Sequence, residues 1–172
     1  MSDGYTDLME RLTIRATSPD HSVKITLNRS SGLGVELDPA HLRRHSATSL
    51  ADQLATTLEN VFSAYERGER LAADRALGDD AEKYGRVSRQ RREAFAELEA
   101  SGTSRNGWIR VIRYCDTATV RVDVDAAALR DPDHRAVADS VVEATHLMMA
   151  RLVNERITIM VRRLRRQTTP FG

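Results

Sequence analysis

Hydrophobic and polar residues alternate along three early stretches of the chain. Leu12, Ile14 and Ala16 alternate with Thr13, Arg15 and Thr17, Val23, Ile25 and Leu27 alternate with Lys24, Thr26 and Asn28, and Leu33, Val35 and Leu37 make a third run. A period of two marks strands that bury one face. Residues 18–21 (SPDH) and 28–32 supply turn chemistry between the runs. Three short antiparallel strands are therefore predicted, after a short amphipathic start carrying Tyr5, Leu8, Met9 and Leu12. Asp38-Pro39 stops the sheet, because proline has no amide hydrogen for the ladder and suits the first position of a helical turn. Beyond it the period changes. Leu50, Leu54, Leu58, Val61, Phe62 and Tyr65 recur at helical spacing. Ser49 with Asp52 reads as a shortened capping box at the start of this helix, and Leu77-Gly78 as its stop.

The second half repeats the plan. Asp79 or Asp80 caps a helix whose stripe is Tyr84, Val87, Ala94, Phe95 and Leu98, and residues 101–106 are polar. Strand signal returns over Trp108 to Tyr114 and Val120 to Val124, and Asp131-Pro132 starts another helix. From Ala136 a long helical run carries apolar residues on more than one side. Val141, Met148, Met149, Leu152 and Met160 are accordingly expected at a buried interface, with the other half of the chain or with another copy.

Residues 33–54 lie without a gap on residues 120–141, 87 positions later. Val35, Asp38, Ala40, Leu42, Arg43, Ala51 and Asp52 recur as Val122, Asp125, Ala127, Leu129, Arg130, Ala138 and Asp139. A repeat of this size is a supersecondary unit used twice. The fold class that follows is α+β, two tandem units of antiparallel β-hairpin or meander plus long helix, spanning 1–78 and 79–172. The strands are expected to pair across a pseudo-dimer or dimer interface, with helices outside. Residues 99–104 are not strand-like, so the second unit is expected to have two strands where the first has three.

Composition places the chain among globular proteins, with 41% hydrophobic and 30% charged residues. No apolar stretch approaches a membrane span, and the start lacks a basic segment followed by an apolar one, so a cytoplasmic location is expected. Cys115, the single cysteine, sits in a predicted strand and reads as a small buried hydrophobe. A net charge of +1 gives no global attraction to polyanions, so any such attraction must be local. The place for it is the end of the last helix, where Arg151, Arg156, Arg162, Arg163, Arg165 and Arg166 are opposed only by Glu155. These six are the candidate nucleic-acid contacts. A second cluster, Lys83, Arg86, Arg89, Arg91 and Arg92, has Glu93 and Gln90 at i to i+4 spacing and reads as a solvated, self-paired helix face.

Other chemistry finds little footing. His41 and His45 share helical spacing, but two arginines lie between them and no third ligand is evident, so no metal site is assigned. There is no G-x-S-x-G, P-loop, dinucleotide fingerprint or H-E-x-x-H. No catalytic residue and no cofactor are assigned, and the chain is read as non-enzymatic.

The run VKITLN…GLGVELDPAHL…SLADQLATTLENVFSAYERG, residues 23–68, resembles the YbaB/EbfC family of bacterial nucleoid-associated proteins, and most of all its divergent actinobacterial members. The matching positions are Val23, Ile25 and Leu27, the turn glycines Gly32 and Gly34, the step Leu37, Asp38 and Pro39, then Leu42 and the helix from Leu50. The second unit follows the same outline through Val122, Val124, Asp125, Leu129 and Val137. The resemblance implies a homo-dimer, or here an intramolecular pseudo-dimer, with projecting helices that bind double-stranded DNA with low sequence specificity in the nucleoid. Some actinobacterial relatives are associated with specialised secretion. The alternative is therefore a protein-interaction or secretion-associated, chaperone-like accessory protein with a protein partner.

Overall fold

The alternating stretches form the predicted meander in the structure, a computed structural model that describes residues 4–168. Residues 1–3 and 169–172, at the outer ends of the two expected units, lie outside the described residues, as do the side chains of Asp79, Ala81, Gln167 and Thr168. After helix α1 (Tyr5–Arg11), strands β1 (Thr13–Thr17), β2 (Val23–Asn28) and β3 (Gly32–Leu37) pair antiparallel in chain order. Central β2 buries Val23, Ile25 and Leu27 and exposes Lys24. Asp38 caps the one-turn α2 (Pro39–Leu42), its carboxylate accepting from the Ala40 amide at 2.8 Å. Helix α3 (Ala47–Leu77) begins earlier than Ser49. Its N-cap is Ser46, whose hydroxyl accepts from the Ser49 amide at 3.1 Å while the Ser49 hydroxyl accepts from the Ser46 amide at 2.9 Å. The box is thus Ser46 with Ser49, not Ser49 with Asp52.

A 3-10 turn, Gly78–Asp80, leads into α4 (Ala81–Phe95), where Asp80 sits at the N-cap without a side-chain bond to the helix. Then come β4 (Glu99–Thr103), β5 (Ile109–Tyr114), β6 (Thr119–Val124), α5 (Ala126–Arg130) and α6 (His134–Thr168). The second unit therefore has three strands, not two. Thr13 opposite Asn28 becomes Glu99 opposite Tyr114, each 86 residues on, and Val23 opposite Leu37 becomes Ile109 opposite Val124, 86 and 87 residues on. One residue is inserted in the β5–β6 turn, where the offset changes from 86 to 87. The turn before β5 copies the turn before β2: Ser18 and Ser104 are both buried, and their hydroxyls accept from Val23 and Ile109 amides at 2.9 and 3.0 Å. His21 and Gly107 both take positive φ, 63° and 75°.

β4 looks unlike a strand because of what covers it. α6 lies so close that a Cβ at Gly102 would stand 2.1 Å from the Ala144 carbonyl oxygen, so only small residues fit. Cys115 stands just past the end of β5, in the β5–β6 turn and half-buried, rather than within a strand. α6 starts at His134, two residues before Ala136, where the Asp133 carboxylate accepts from the Arg135 amide at 2.9 Å.

The expected strand pairing between units does not occur. The two sheets are separate, and the helices join them: α3 packs on β1 and β2 of its own sheet and on β6 of the other, while α6 packs on β4 and β5 and crosses to β3. One cluster of buried side chains, including Ile25, Leu54, Leu58, Val111, Val141 and Met148, runs through both units. A polar bond strengthens the crossing, since the Val120 amide of β6 donates to Glu59 Oε1 of α3 at 2.8 Å. Arg113 stands where the first unit has Leu27. It is buried, lies 4.6 Å over the Phe62 ring and pairs with Glu66, both residues of α3.

This packing sets two expectations for stability. Gly102→Ala is expected to cost at least about 2 kcal/mol in urea unfolding, whereas Gly34→Ala, whose added Cβ comes no nearer than 4.0 Å to Thr26, stays within about 1 kcal/mol. Glu66→Ala leaves the Arg113 guanidinium buried without its carboxylate and is expected to destabilise by about 1–3 kcal/mol. Arg113→Leu restores the residue of the first unit and leaves only a half-exposed Glu66, so it costs less. The reverse order would contradict this account of the pair.

Candidate nucleic-acid interface

Each unit carries an arm made of its leading helix and the outer half of its long helix. In the first, α1 lies on α3, where the Tyr5 hydroxyl donates to Glu69 Oε1 at 3.0 Å and Leu12 fills the space over Gly68. Burial and the Glu69 carboxylate hold the Tyr5 phenol above its ordinary pKa. In the second, α4 lies beside the outer half of α6. Phe95, the counterpart of buried Met9, is itself buried, with the Arg156 guanidinium 5.5 Å over its ring. Farther out, Val87, Gln90 and Arg91 face Met160, Arg163 and Leu164 across a shallow groove.

The arms share an architecture and differ in charge. α4 carries five cations against Glu82 and Glu93, a formal +3, and residues 151–168 carry six arginines against Glu155, a formal +5. The second arm is thus +8, and because the whole chain is +1, everything else sums to −7. In the first arm α1 has Asp7 and Glu10 against Arg11, and residues 64–77 of α3 balance three arginines with three carboxylates, giving −1. The fold does not require the cations. Charge of one sign gathered on one projection makes a local field that a nearly neutral chain otherwise lacks.

The six candidate arginines divide into two sets. At about 100° per residue, Arg151, Arg162, Arg165 and Arg166 occupy one flank of α6 and Arg156 and Arg163 the other. Arg156 and Arg163 face α4, and Arg156, half-buried on Phe95, is a packing residue. On the other flank Arg162, Arg165 and Arg166 are exposed to solvent, and Arg151, also exposed, donates to the Ser101 carbonyl of β4 at 3.3 Å. Lys83, Arg86, Arg89, Arg91 and Arg92 are exposed on α4, and the Arg89–Glu93 pairing expected there does not form among the described residues. Every Phe, Tyr and Trp ring among the described residues is buried or half-buried. The surface therefore offers guanidinium groups for phosphates rather than rings for stacked bases.

The five residues expected at an interface also separate. Val141, Met148 and Leu152 lie in the core that joins the two units, Met149 is half-buried against it, and Met160 is exposed beside α4.

A cluster that the sequence did not reveal lies at the start of α3. Asp20 Oδ2 is 2.8 Å from His45 Nε2, and His45 Nδ1 is 2.8 Å from the Ser49 hydroxyl. The order Asp, His, Ser is that of a hydrolytic triad, yet the Ser49 oxygen is engaged by the Ser46 amide and hydroxyl in the helix cap. The cluster ties the β1–β2 turn to α3. The second unit has no copy of His45 or Ser49, Pro132 and Ala136 standing in their places, and there Asn106 donates to the Ser140 hydroxyl at 2.8 Å, as the Asp20 amide donates to Gln53 Oε1 at 3.4 Å in the first unit. His41 is engaged separately, 3.1 Å from Asp38, and among the described residues no three His, Cys, Asp or Glu side chains converge as a metal site. Partial burial opposes ionisation of Asp20, but bonds from the Ser22 hydroxyl and amide and the Ser18 hydroxyl, with His45 alongside, hold its carboxyl well below the usual range.

A depressed carboxylate contributes stability that is complete above its unfolded pKa, about 4, and is lost as pH falls toward the folded value. Wild type is therefore expected to lose more stability than Asp20→Asn between about pH 5 and pH 2.5 in urea titrations. Parallel losses would show that Asp20 is not held in this way.

No protein-family model matches the chain, and the search of curated proteins finds no significant match.

Proposed function

We propose that the chain is a non-enzymatic, nucleoid-associated DNA-binding protein of low sequence specificity, of the YbaB/EbfC type, in which two units in one chain stand in for a dimer. The supporting observation is the charge of the second arm, +8 on a chain of net +1, beside an arm of the same build at −1. Arginines along a helix flank engage phosphates through geometry and charge, and phosphate contacts carry no sequence information. The resemblance over residues 23–68 supports the same reading. No helix is long and apolar enough to cross a membrane among the described residues, which suits the cytoplasmic, nucleoid location this function implies. The alternative, a protein-interaction or secretion-associated accessory role, draws its support from exposed apolar residues on α6.

A gel shift on random duplex DNA over a salt series tests the proposal. Binding should fall steeply with salt, and replacing Arg162, Arg165 and Arg166 by alanine should lower the log–log slope by up to about 0.9 for each phosphate that an arginine no longer neutralises. Arg156→Ala should leave the slope unchanged and loosen α4. No binding at low salt would overturn the proposal in favour of the protein partner.

A further inference from the structure

The groove between α4 and α6 brings two guanidinium groups together with nothing to neutralise them. Arg91 enters it from α4 and Arg163 from α6, with Gln90 beside them and Val87, Met160 and Leu164 as an apolar lining. Both arginines are exposed, and neither forms an ion pair among the described residues. Counting about 100° per residue, the three carboxylates of this arm, Glu82, Glu93 and Glu155, lie about 100° or more around their helices from the groove. Like charges on facing walls repel, so the pair opposes the packing of α4 on α6.

The first arm shows that the fold does not require this arrangement. Tyr5 stands there in the place of Arg91, 86 positions earlier, and Glu69 and Ala76 in those of Arg156 and Arg163, 87 positions earlier. The Tyr5 hydroxyl donates to Glu69 and joins the two helices without a cation. In the second arm the same place is suited to an anion. Guanidinium groups reaching in from opposite walls can both hold oxygens of one phosphate, and the Gln90 amide is a further donor. The groove has about 190 Å³ of space, several times the roughly 30 Å³ share of a water molecule, so a phosphate group fits. Its apolar lining lowers the local dielectric and strengthens charge-assisted bonds made within it.

We propose that this groove seats one backbone phosphate of the bound DNA between Arg91 and Arg163, an inference that rests on the DNA-binding reading above. Arg163 lies about 60° around α6 from Arg166, so the groove continues the surface of Arg162, Arg165 and Arg166 and extends it onto α4. Arg89 and Arg92, on the far side of α4, take no part.

Gel shifts on random duplex DNA at about 0.1 M salt test the proposal with Arg91→Gln, Arg163→Gln and the double variant, and with Arg89→Gln as a control of equal charge on the same helix. Each groove variant should weaken binding by roughly tenfold. The double variant should lose clearly less than the product of the two, because both arginines hold one group, and its log–log salt slope should fall by about 0.9 rather than twice that. Arg89→Gln should weaken binding by less than about threefold. The melting temperature of the groove variants should not fall, since removing either cation relieves the repulsion between them. Equal losses in Arg89→Gln and Arg91→Gln, or multiplicative losses in the double variant, would overturn the phosphate seat and leave DNA binding standing. A wild-type chain that binds no DNA would overturn both.

Discussion

Each long helix lies on two sheets, and the rest of the molecule depends on that crossing. A small unit of three strands and one helix buries a smaller fraction of its surface than a larger domain does, so its stability alone is marginal. By reaching β6, α3 closes the second unit over the first, and α6 does the same in return at β3. The buried positions repeat accordingly: Leu50, Leu54, Thr57, Leu58 and Val61 in α3 become Val137, Val141, Ala144, Thr145 and Met148 in α6, and all ten are buried. The sheets have no need to share hydrogen bonds, because side chains from both helices fill the space that a shared strand pair would occupy.

Local pattern revealed what local physics decides. β2, β3 and β6 bury one face each and alternate visibly, and Asp38 and Asp125 cap short helices for reasons present in adjacent residues. β4 escaped because its residues, Glu-Ala-Ser-Gly-Thr, are chosen by the α6 backbone lying on them, a neighbour more than 40 residues away in the chain. The Asp20, His45 and Ser49 cluster was illegible for the same reason, since a turn and a helix start bring together side chains that no spacing connects.

The basic end of α6 was legible as a charge run, but its division was not. Six arginines in sequence look equivalent. In the folded chain α4 takes Arg156 and Arg163 to its own side, and Phe95 turns one of them into a packing group. The apolar residues of the same helix mislead in the opposite direction: Met148 and Met160 belong to one hydrophobic pattern, yet the first is fully buried and the second is exposed. A helix that leaves its sheet partway along keeps its period after it has moved beyond its partner, so periodicity alone cannot say where burial ends.

Joining two copies in one chain removes the constraint that a symmetric dimer imposes. In a homodimer any residue placed on one arm appears on the other. Here the core positions stay alike, because both helices face the same crossing problem, while the positions that face solvent are free to diverge. Arg113 replaces the equivalent of Leu27 and pairs with Glu66 across the units, so the two halves are no longer interchangeable. Divergence is greatest beyond the sheets, where one arm sums to −1 and the other carries both the cations and the exposed apolar residues. A single basic arm beside one of net −1 concentrates positive field on one projection of the molecule.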